Sequence, residues 1–230
     1  MKILFLNIIS LLLIVPFGYS FFNEIAIFNI NISRNYMFIL GNIFFFILHF
    51  LLSNRLQYFS TFEHELTHNI WALLFFKKPR GFHVNTDGSG LFEWSGSTGL
   101  LSKVFILLSP YFFPTITVFL IILSLIIKDE FISIYFLVIG LSFGYHIVSS
   151  VKEIHLGQTD ITENGYFTSF NIIVLMSLIM NGLVFSFINN HFIGKKWLLY
   201  HLTNLARLRK TSSAFHTLLS CFTTTISKLM

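Results

Sequence analysis

Charged residues are scarce in this chain, and cysteine is almost absent. Only 11% of the 230 residues are Asp, Glu, Lys or Arg, against about 25% in ordinary soluble domains. The single cysteine, Cys221, excludes an internal disulfide and a CxxC metal pair. Any metal must therefore be held by histidines and carboxylates. With 54% apolar residues and a mean hydropathy of +0.75, the composition predicts one helical bundle embedded in a lipid bilayer.

The charges that are present sum to +5. Such an excess is typical of nucleic-acid-binding proteins, but here the basic residues fall in short loops between apolar runs and near the C-terminus. Anionic lipid headgroups explain that distribution, so we predict a membrane partner and no nucleic acid. We expect a polytopic membrane domain over residues 1–193 and a basic C-terminal tail over 194–230, which lies on the membrane surface rather than crossing it.

Apolar runs of about 20 residues, the length of a transmembrane helix, divide the chain. They predict an all-α membrane protein, a polytopic bundle of about six spans. Only Asn54 and Arg55 separate the second run from the third, which predicts either a tight helical hairpin there or a run that enters the membrane obliquely. Cleavage of the first run after Ser20 is an alternative, but the run continues through Phe21 and Phe22, which favours an uncleaved span. The six runs cover residues 3–22, 36–53, 56–76, 99–127, 131–150 and 166–189.

Two local patterns interrupt this helical plan. Residues 82–94 contain an Asp-Gly turn between two short β-prone segments, which predicts a short β-hairpin after the third run. Pro110 and Pro114 predict a kink or break inside the fourth run, where freed backbone groups must face protein or a wet cavity. Four basic residues within 77–103 predict that this segment faces the cytoplasm.

The third run contains the motif His64-Glu65-Leu66-Thr67-His68. Positions i and i+4 of a helix lie on the same face, so His64 and His68 can offer two imidazole nitrogens to one metal ion. Glu65 then lies beside the ion, where hydrolytic zinc sites place the carboxylate that accepts a proton from water. An ionisable group at membrane depth costs on the order of 2.5 kcal/mol or more, and a bound metal offsets that cost. The alternative is a polar cluster that only ties helices together.

A catalytic zinc site needs a third protein ligand, because its fourth position is left for water. The extension that metzincins carry after this motif is absent from the sequence. The polar segment 155–163, just before the last run, is the best source of the ligand. Within it we choose Asp160, with His155 second and Glu163 third. His146, in the fifth run, is a further candidate, since histidine is the commonest metal-binding side chain.

With these motifs the sequence resembles the site-2 protease family of intramembrane zinc metalloproteases, in its small form without PDZ insertions. The resemblance covers about residues 56–170 and depends on the HExxH motif inside a span, the hairpin, the proline break and the polar segment before the last span. It implies a Zn²⁺ ion held by His64, His68 and Asp160. It also implies Glu65 as general base, a transmembrane protein as substrate and a bacterial cell membrane as location. Family members commonly carry Leu-Asp-Gly at the third ligand, whereas isoleucine follows the aspartate here.

Two other classes of protein would suit the same buried polar site. One is a membrane scaffold that keeps the fold and the metal without cleaving anything. The other is a metal or proton transporter, which also needs ionisable groups inside the bilayer. Glu65 favours the zinc-dependent endopeptidase, because a site that only binds metal has no need of a base.

Overall fold

The computed structural model of the chain describes residues 2–33, 35–85, 90–96 and 99–190. They form helices and one antiparallel sheet of two strands, in agreement with the predicted helical class and hairpin. The predicted Asp-Gly turn and the basic tail fall outside the described residues. In chain order the elements are α1 Lys2–Ile30, α2 Tyr36–Leu74, β1 Lys78–Val84, β2 Gly90–Ser95, α3 Leu100–Phe112, α4 Thr115–Leu123, α5 Ile132–Glu153, α6 Thr159–Thr162 and α7 Tyr166–Asn190, with 3₁₀ turns at Ser124–Ile126 and Asp129–Phe131.

Fewer helices than predicted have the dimensions of a membrane span. Within the described part of the chain, α1, α5 and α7 are long and apolar enough to cross a bilayer, and α3 with α4 makes a fourth if this bent pair is one span. The axes of that pair meet at 81°. The first part of α2, Tyr36–Leu52, is apolar but shorter than a full span. The prediction of six spans is therefore not confirmed.

Helix α2 contains the second and third predicted runs, which meet at a kink rather than at a separate loop. Its backbone departs from helical angles only at Leu52 (φ −126°, ψ 18°) and then continues as a helix to Leu74. Asn and Arg are tolerated inside helices, because neither removes a backbone N–H as proline does. The bend at Leu52 is sharp, because Phe45 before it and Phe59 after it both contact the Tyr145 ring of α5, with ring centroids 5.7 and 5.3 Å away. The HExxH motif lies in the second half of this helix.

Glycines allow α2 and α5 to approach closely. A Cβ at Gly140 of α5 would overlap the carbonyl oxygen of Phe38, and a Cβ at Gly41 of α2 would overlap that of Leu137. The main chains of the two helices therefore touch, as small residues permit in membrane bundles. This contact brings the C-terminal end of α5, at Glu153, beside the second half of α2.

The short helix α6 is fixed by a buried side chain. Ile161 is completely buried in an apolar cluster with residues of α3 and α7, among them Leu108 and Ile172. The Ser169 hydroxyl donates a hydrogen bond to the Ile161 carbonyl at 2.9 Å. Because these contacts hold Ile161, the preceding residue, Asp160, is directed towards α2.

Candidate metal centre

The second half of α2 presents the histidines of the motif to the protein interior. His64 and His68 are buried, with 7% and 3% of their surfaces exposed. Their rings lie one helical turn apart, and the ring centroids are 4.8 Å from each other. The i, i+4 spacing thus produces the pair of neighbouring imidazoles that the sequence predicts.

Asp160 completes a group of three possible metal ligands. Its Oδ2 atom lies 3.4 Å from Nε2 of His64 and 3.4 Å from Nε2 of His68. Ligands of a tetrahedral zinc ion, at about 2.0 to 2.1 Å from the metal, are about 3.3 to 3.4 Å apart. The three ligand atoms all lie within 4.8 Å of one another, and they form the sole such group of His, Cys, Asp or Glu among the described residues. Two imidazoles and a carboxylate are a donor set that suits zinc.

The other candidates for third ligand lie elsewhere. His155 is exposed, and its Nδ1 accepts a hydrogen bond from the Gly157 backbone N–H at 3.2 Å. Glu163 forms an ion pair with Lys103 at 2.9 Å. His146 is buried on α5 and lies 3.3 Å from the Ser150 hydroxyl. None of these three side chains belongs to the group around His64 and His68.

Each histidine of the pair is oriented by an acceptor at its Nδ1 atom. Nδ1 of His64 donates to Oε2 of Glu153 at 2.6 Å, and Nδ1 of His68 donates to the carbonyl oxygen of Ile106 at 2.7 Å. A carbonyl oxygen can only accept, so the proton of His68 resides on Nδ1. Both rings can therefore direct the lone pair of Nε2 towards Asp160, as metal-binding histidines do.

The acceptor for His68 exists because of a proline. In α3 the carbonyl of Ile106 would normally bond to the backbone N–H four residues later, but that residue is Pro110, which has none. The freed carbonyl accepts from His68 and from the Ser109 hydroxyl, the latter at 2.9 Å. The chain then leaves the helix after Phe112 and resumes at Thr115. The predicted proline break is confirmed, and its freed carbonyl group contacts His68, one of the possible metal ligands.

Asp160 has a further partner in Tyr111. The Tyr111 hydroxyl, which is buried, donates to Oδ2 of Asp160 at 3.2 Å. Burial alone would raise the pKa of the Asp160 carboxyl, but His64 and His68 beside it hold that pKa well below its usual range. A lowered pKa favours the ionised carboxylate, which is the form in which an aspartate can bind a metal.

Glu65 faces a cavity next to the three possible ligands. The cavity has a volume of about 690 Å³ and is also lined by His64, His68 and Asp160. The first residue of β2, Gly90, lies directly against the Glu65 carboxylate, so a Cβ there would overlap its Oε1 atom. The hairpin thus closes one side of the cavity, and the absence of a side chain at Gly90 leaves room for the carboxylate.

Three partners of the site were not anticipated from the sequence: the Glu153 carboxylate, the Ile106 carbonyl and the Tyr111 hydroxyl. The sequence signal for Glu153 was an acidic residue just after the fifth apolar run, a position that is also common for the end of a helix. Tyr111 follows directly after Pro110, and only the proline was interpreted. The Ile106 carbonyl could be inferred from the position of the proline four residues later.

A family match was found for most of the chain. The model of a family described as Peptidase M50B-like matches residues 36–206, a segment that includes the histidine pair, Asp160, Glu153 and Glu65. No curated protein and no solved structure matches the chain.

Proposed function

The chain belongs to the Peptidase M50B-like family, and from that premise we propose that it is a zinc-dependent intramembrane endopeptidase. The family is one of peptidases, and the long apolar helices make the chain an integral membrane protein. The observation that carries the proposal is the convergence of His64, His68 and Asp160 beside the Glu65 carboxylate in one cavity. The substrates we propose are other membrane proteins.

The proposed ligands are Nε2 of His64, Nε2 of His68 and Oδ2 of Asp160. The distances from Oδ2 of Asp160 to the two Nε2 atoms support this assignment. Both are 3.4 Å, which is about the distance between two ligand atoms of a tetrahedral zinc ion. The Nδ1 acceptors support the assignment too, because they leave Nε2 available for metal. When bound, zinc supplies a Lewis acid that polarises a carbonyl group and lowers the pKa of water.

The chain's own residues then handle the protons. Glu65 accepts a proton from the water that attacks the scissile carbonyl, and passes that proton to the nitrogen of the leaving amine. The C–N bond breaks, and one water molecule is consumed for each peptide bond. Tyr111 holds Asp160 in place by its hydrogen bond. No covalent bond between protein and substrate is needed.

The hairpin is the element that we propose for holding the substrate. A transmembrane helix must unwind locally before its backbone reaches the cavity, and an unwound segment can pair with a strand edge. Among the described residues β1 and β2 pair only with each other, so each has a second edge. Phe92 of β2 stacks on His68 with ring centroids 5.6 Å apart, so a segment paired along β2 would lie close to the proposed ligands.

The test compares zinc content and cleavage in two variants of the purified protein. Glu65→Gln removes the base and keeps the ligands, so we expect about one zinc per chain and a loss of hydrolysis of about 10²- to 10⁴-fold. His64→Ala should lose both the zinc and the hydrolysis. A scaffold or a transporter has no cleavage to lose, so loss of hydrolysis with zinc retained in Glu65→Gln distinguishes the peptidase from both, and undiminished cleavage in that variant would refute the mechanism.

A further inference from the structure

The Glu153 carboxylate contacts two residues of α2 that lie one helical turn apart. Its Oε2 accepts from Nδ1 of His64 at 2.6 Å, and its Oε1 accepts from the Ser60 hydroxyl at 2.5 Å. Both oxygens are engaged, so the carboxylate has a defined orientation against α2. We propose that Glu153 is a positioning residue of the metal centre, which sets the tautomer and the ring orientation of His64. This role rests on the proposed function.

The physical reason lies in the two nitrogens of the imidazole ring. A neutral imidazole carries its proton on one nitrogen and a lone pair on the other. An acceptor at Nδ1 places the proton there and directs the Nε2 lone pair to the side of Asp160, whose Oδ2 is 3.4 Å away. Rotation about the bond to the ring has only broad minima, so the hydrogen bond to Glu153 also fixes the plane of the ring.

Glu153 is not itself a ligand in this arrangement. It lies on the Nδ1 side of the His64 ring, whereas the proposed ligand atoms converge on the Nε2 side. Its negative charge still matters. Zinc with two neutral imidazoles and one carboxylate retains a net charge of +1, and the Glu153 carboxylate lies one imidazole ring away from that charge. In a partly buried site such a carboxylate stabilises the cation and makes the imidazole a stronger donor of electrons.

A purely structural role for Glu153 makes different predictions. The side chain joins α5 to α2, and a hydrogen bond between membrane helices contributes to packing. Ser60→Ala is the matched control, because it removes the other half of the same interhelical contact and leaves the His64–Glu153 bond intact. Glu153→Gln is the conservative variant. Its amide oxygen can accept from Nδ1 of His64 while its NH₂ group donates to the Ser60 hydroxyl.

The experiment measures zinc affinity of the purified full-length protein by competition with a chromophoric chelator. The visible spectrum of the Co²⁺-substituted protein reports the geometry of the ligands. We expect Glu153→Ala to lose about 10- to 100-fold in affinity and to show an altered Co²⁺ spectrum. Ser60→Ala should have nearly the zinc affinity and the Co²⁺ spectrum of the unmodified protein. Glu153→Gln should recover most of the zinc affinity that Glu153→Ala loses.

Three results would overturn the positioning role: unchanged affinity in Glu153→Ala, an equal loss in Ser60→Ala, or an equal loss in Glu153→Gln and Glu153→Ala. His64→Ala, measured in the same series, separates this inference from the proposed function. If His64→Ala binds zinc normally, the metal site itself is wrong. If His64→Ala loses zinc and Glu153→Ala does not, only the role of Glu153 is wrong.

Discussion

Asp160 faces both histidines with the same carboxylate oxygen, and Tyr111 donates to that oxygen as well. Three groups therefore converge on one atom of Asp160. Its position comes from Ile161, the next residue, which is completely buried between α3 and α7.

At this scale we predict that Asp160 is the third ligand. Asp160→Ala should reduce zinc from about one ion per chain to a minor fraction, because two protein ligands rarely retain catalytic zinc. His155→Ala and His146→Ala should keep their zinc, since His155 is exposed and His146 lies outside the ligand group. Zinc content of the three purified variants, measured in parallel, decides between them. Normal zinc and cleavage in Asp160→Ala would move the third ligand to a histidine.

The residues of the site differ in how far the sequence reveals them. His64, Glu65 and His68 are close in sequence, so helical spacing alone places them on neighbouring faces. Glu153 lies 89 residues from His64 in the chain, and nothing local indicates that the two meet. That contact depends on how α5 packs along α2, through glycines whose backbone overlap is visible only in the folded chain.

At the scale of elements, the break between α3 and α4 supplies part of the site. Proline is usually unfavourable inside a helix because it leaves a carbonyl without a partner. Here the carbonyl of Ile106 accepts from His68 and Ser109, so the defect in α3 becomes a fixed acceptor for one of the proposed metal ligands. The sequence predicted the break because proline acts locally. It did not reveal which side chain uses the freed carbonyl, because His68 lies 38 residues earlier.

Pro110→Ala should strengthen α3 and weaken the metal site. Alanine is about 3 kcal/mol more favourable than proline in a helix interior, and it restores an N–H that bonds to the Ile106 carbonyl. That oxygen already accepts two hydrogen bonds, so a third donor displaces one of them. We expect thermal stability of the metal-free protein to rise or stay level, and zinc affinity to fall by about tenfold.

The control for this variant is Ser109→Ala, which removes a competing donor from the same carbonyl and adds none. It should bind zinc as the unmodified protein does. If Pro110→Ala also binds zinc normally, the hydrogen bond from His68 to Ile106 contributes nothing to the site.

At the scale of the whole molecule, the directions of the helices restrict how the chain crosses the bilayer. Helix α5 runs alongside the first half of α2 in the same direction, since Phe38 lies against Gly140 and Phe45 contacts Tyr145 further along both helices. The C-terminal end of α5 then meets the part of α2 that contacts the hairpin, because Glu153 bonds to His64 and Gly90 lies against Glu65. Helix α3 begins near that end too, since Lys103 pairs with Glu163 just after α5, whereas α5 begins at the opposite end. We therefore predict that α3 and α4 together cross the bilayer once and that their 81° bend is a break within one span rather than a re-entrant loop.

The helices α1 and α7 complete this arrangement. They also run in the same direction, because Asn7 bonds to Thr168 near their N-terminal ends and Glu24 to Asn189 near their C-terminal ends. Helix α7 follows α6, which lies beside the hairpin side of α3, so both α1 and α7 begin on the hairpin side. The sequence could not supply these directions, because they depend on contacts between residues more than 150 positions apart.

We predict that the hairpin side faces the cytoplasm and that segment 124–131 faces the other compartment. The basic residues of short loops and helix ends determine the orientation of a membrane protein. Segment 124–131 has one basic residue, Lys128. The hairpin side has six: Lys2, Lys77, Lys78, Arg80, Lys103 and Lys152.

The test uses a Cys221→Ser background with one new cysteine at Glu93 of β2 or at Glu130, both of which are exposed. An impermeant thiol reagent added to intact cells should label the cysteine at position 130 and reach position 93 only after the membrane is opened. The reverse pattern would invert the orientation, and labelling of both positions from outside would show that α3 and α4 do not cross as one span.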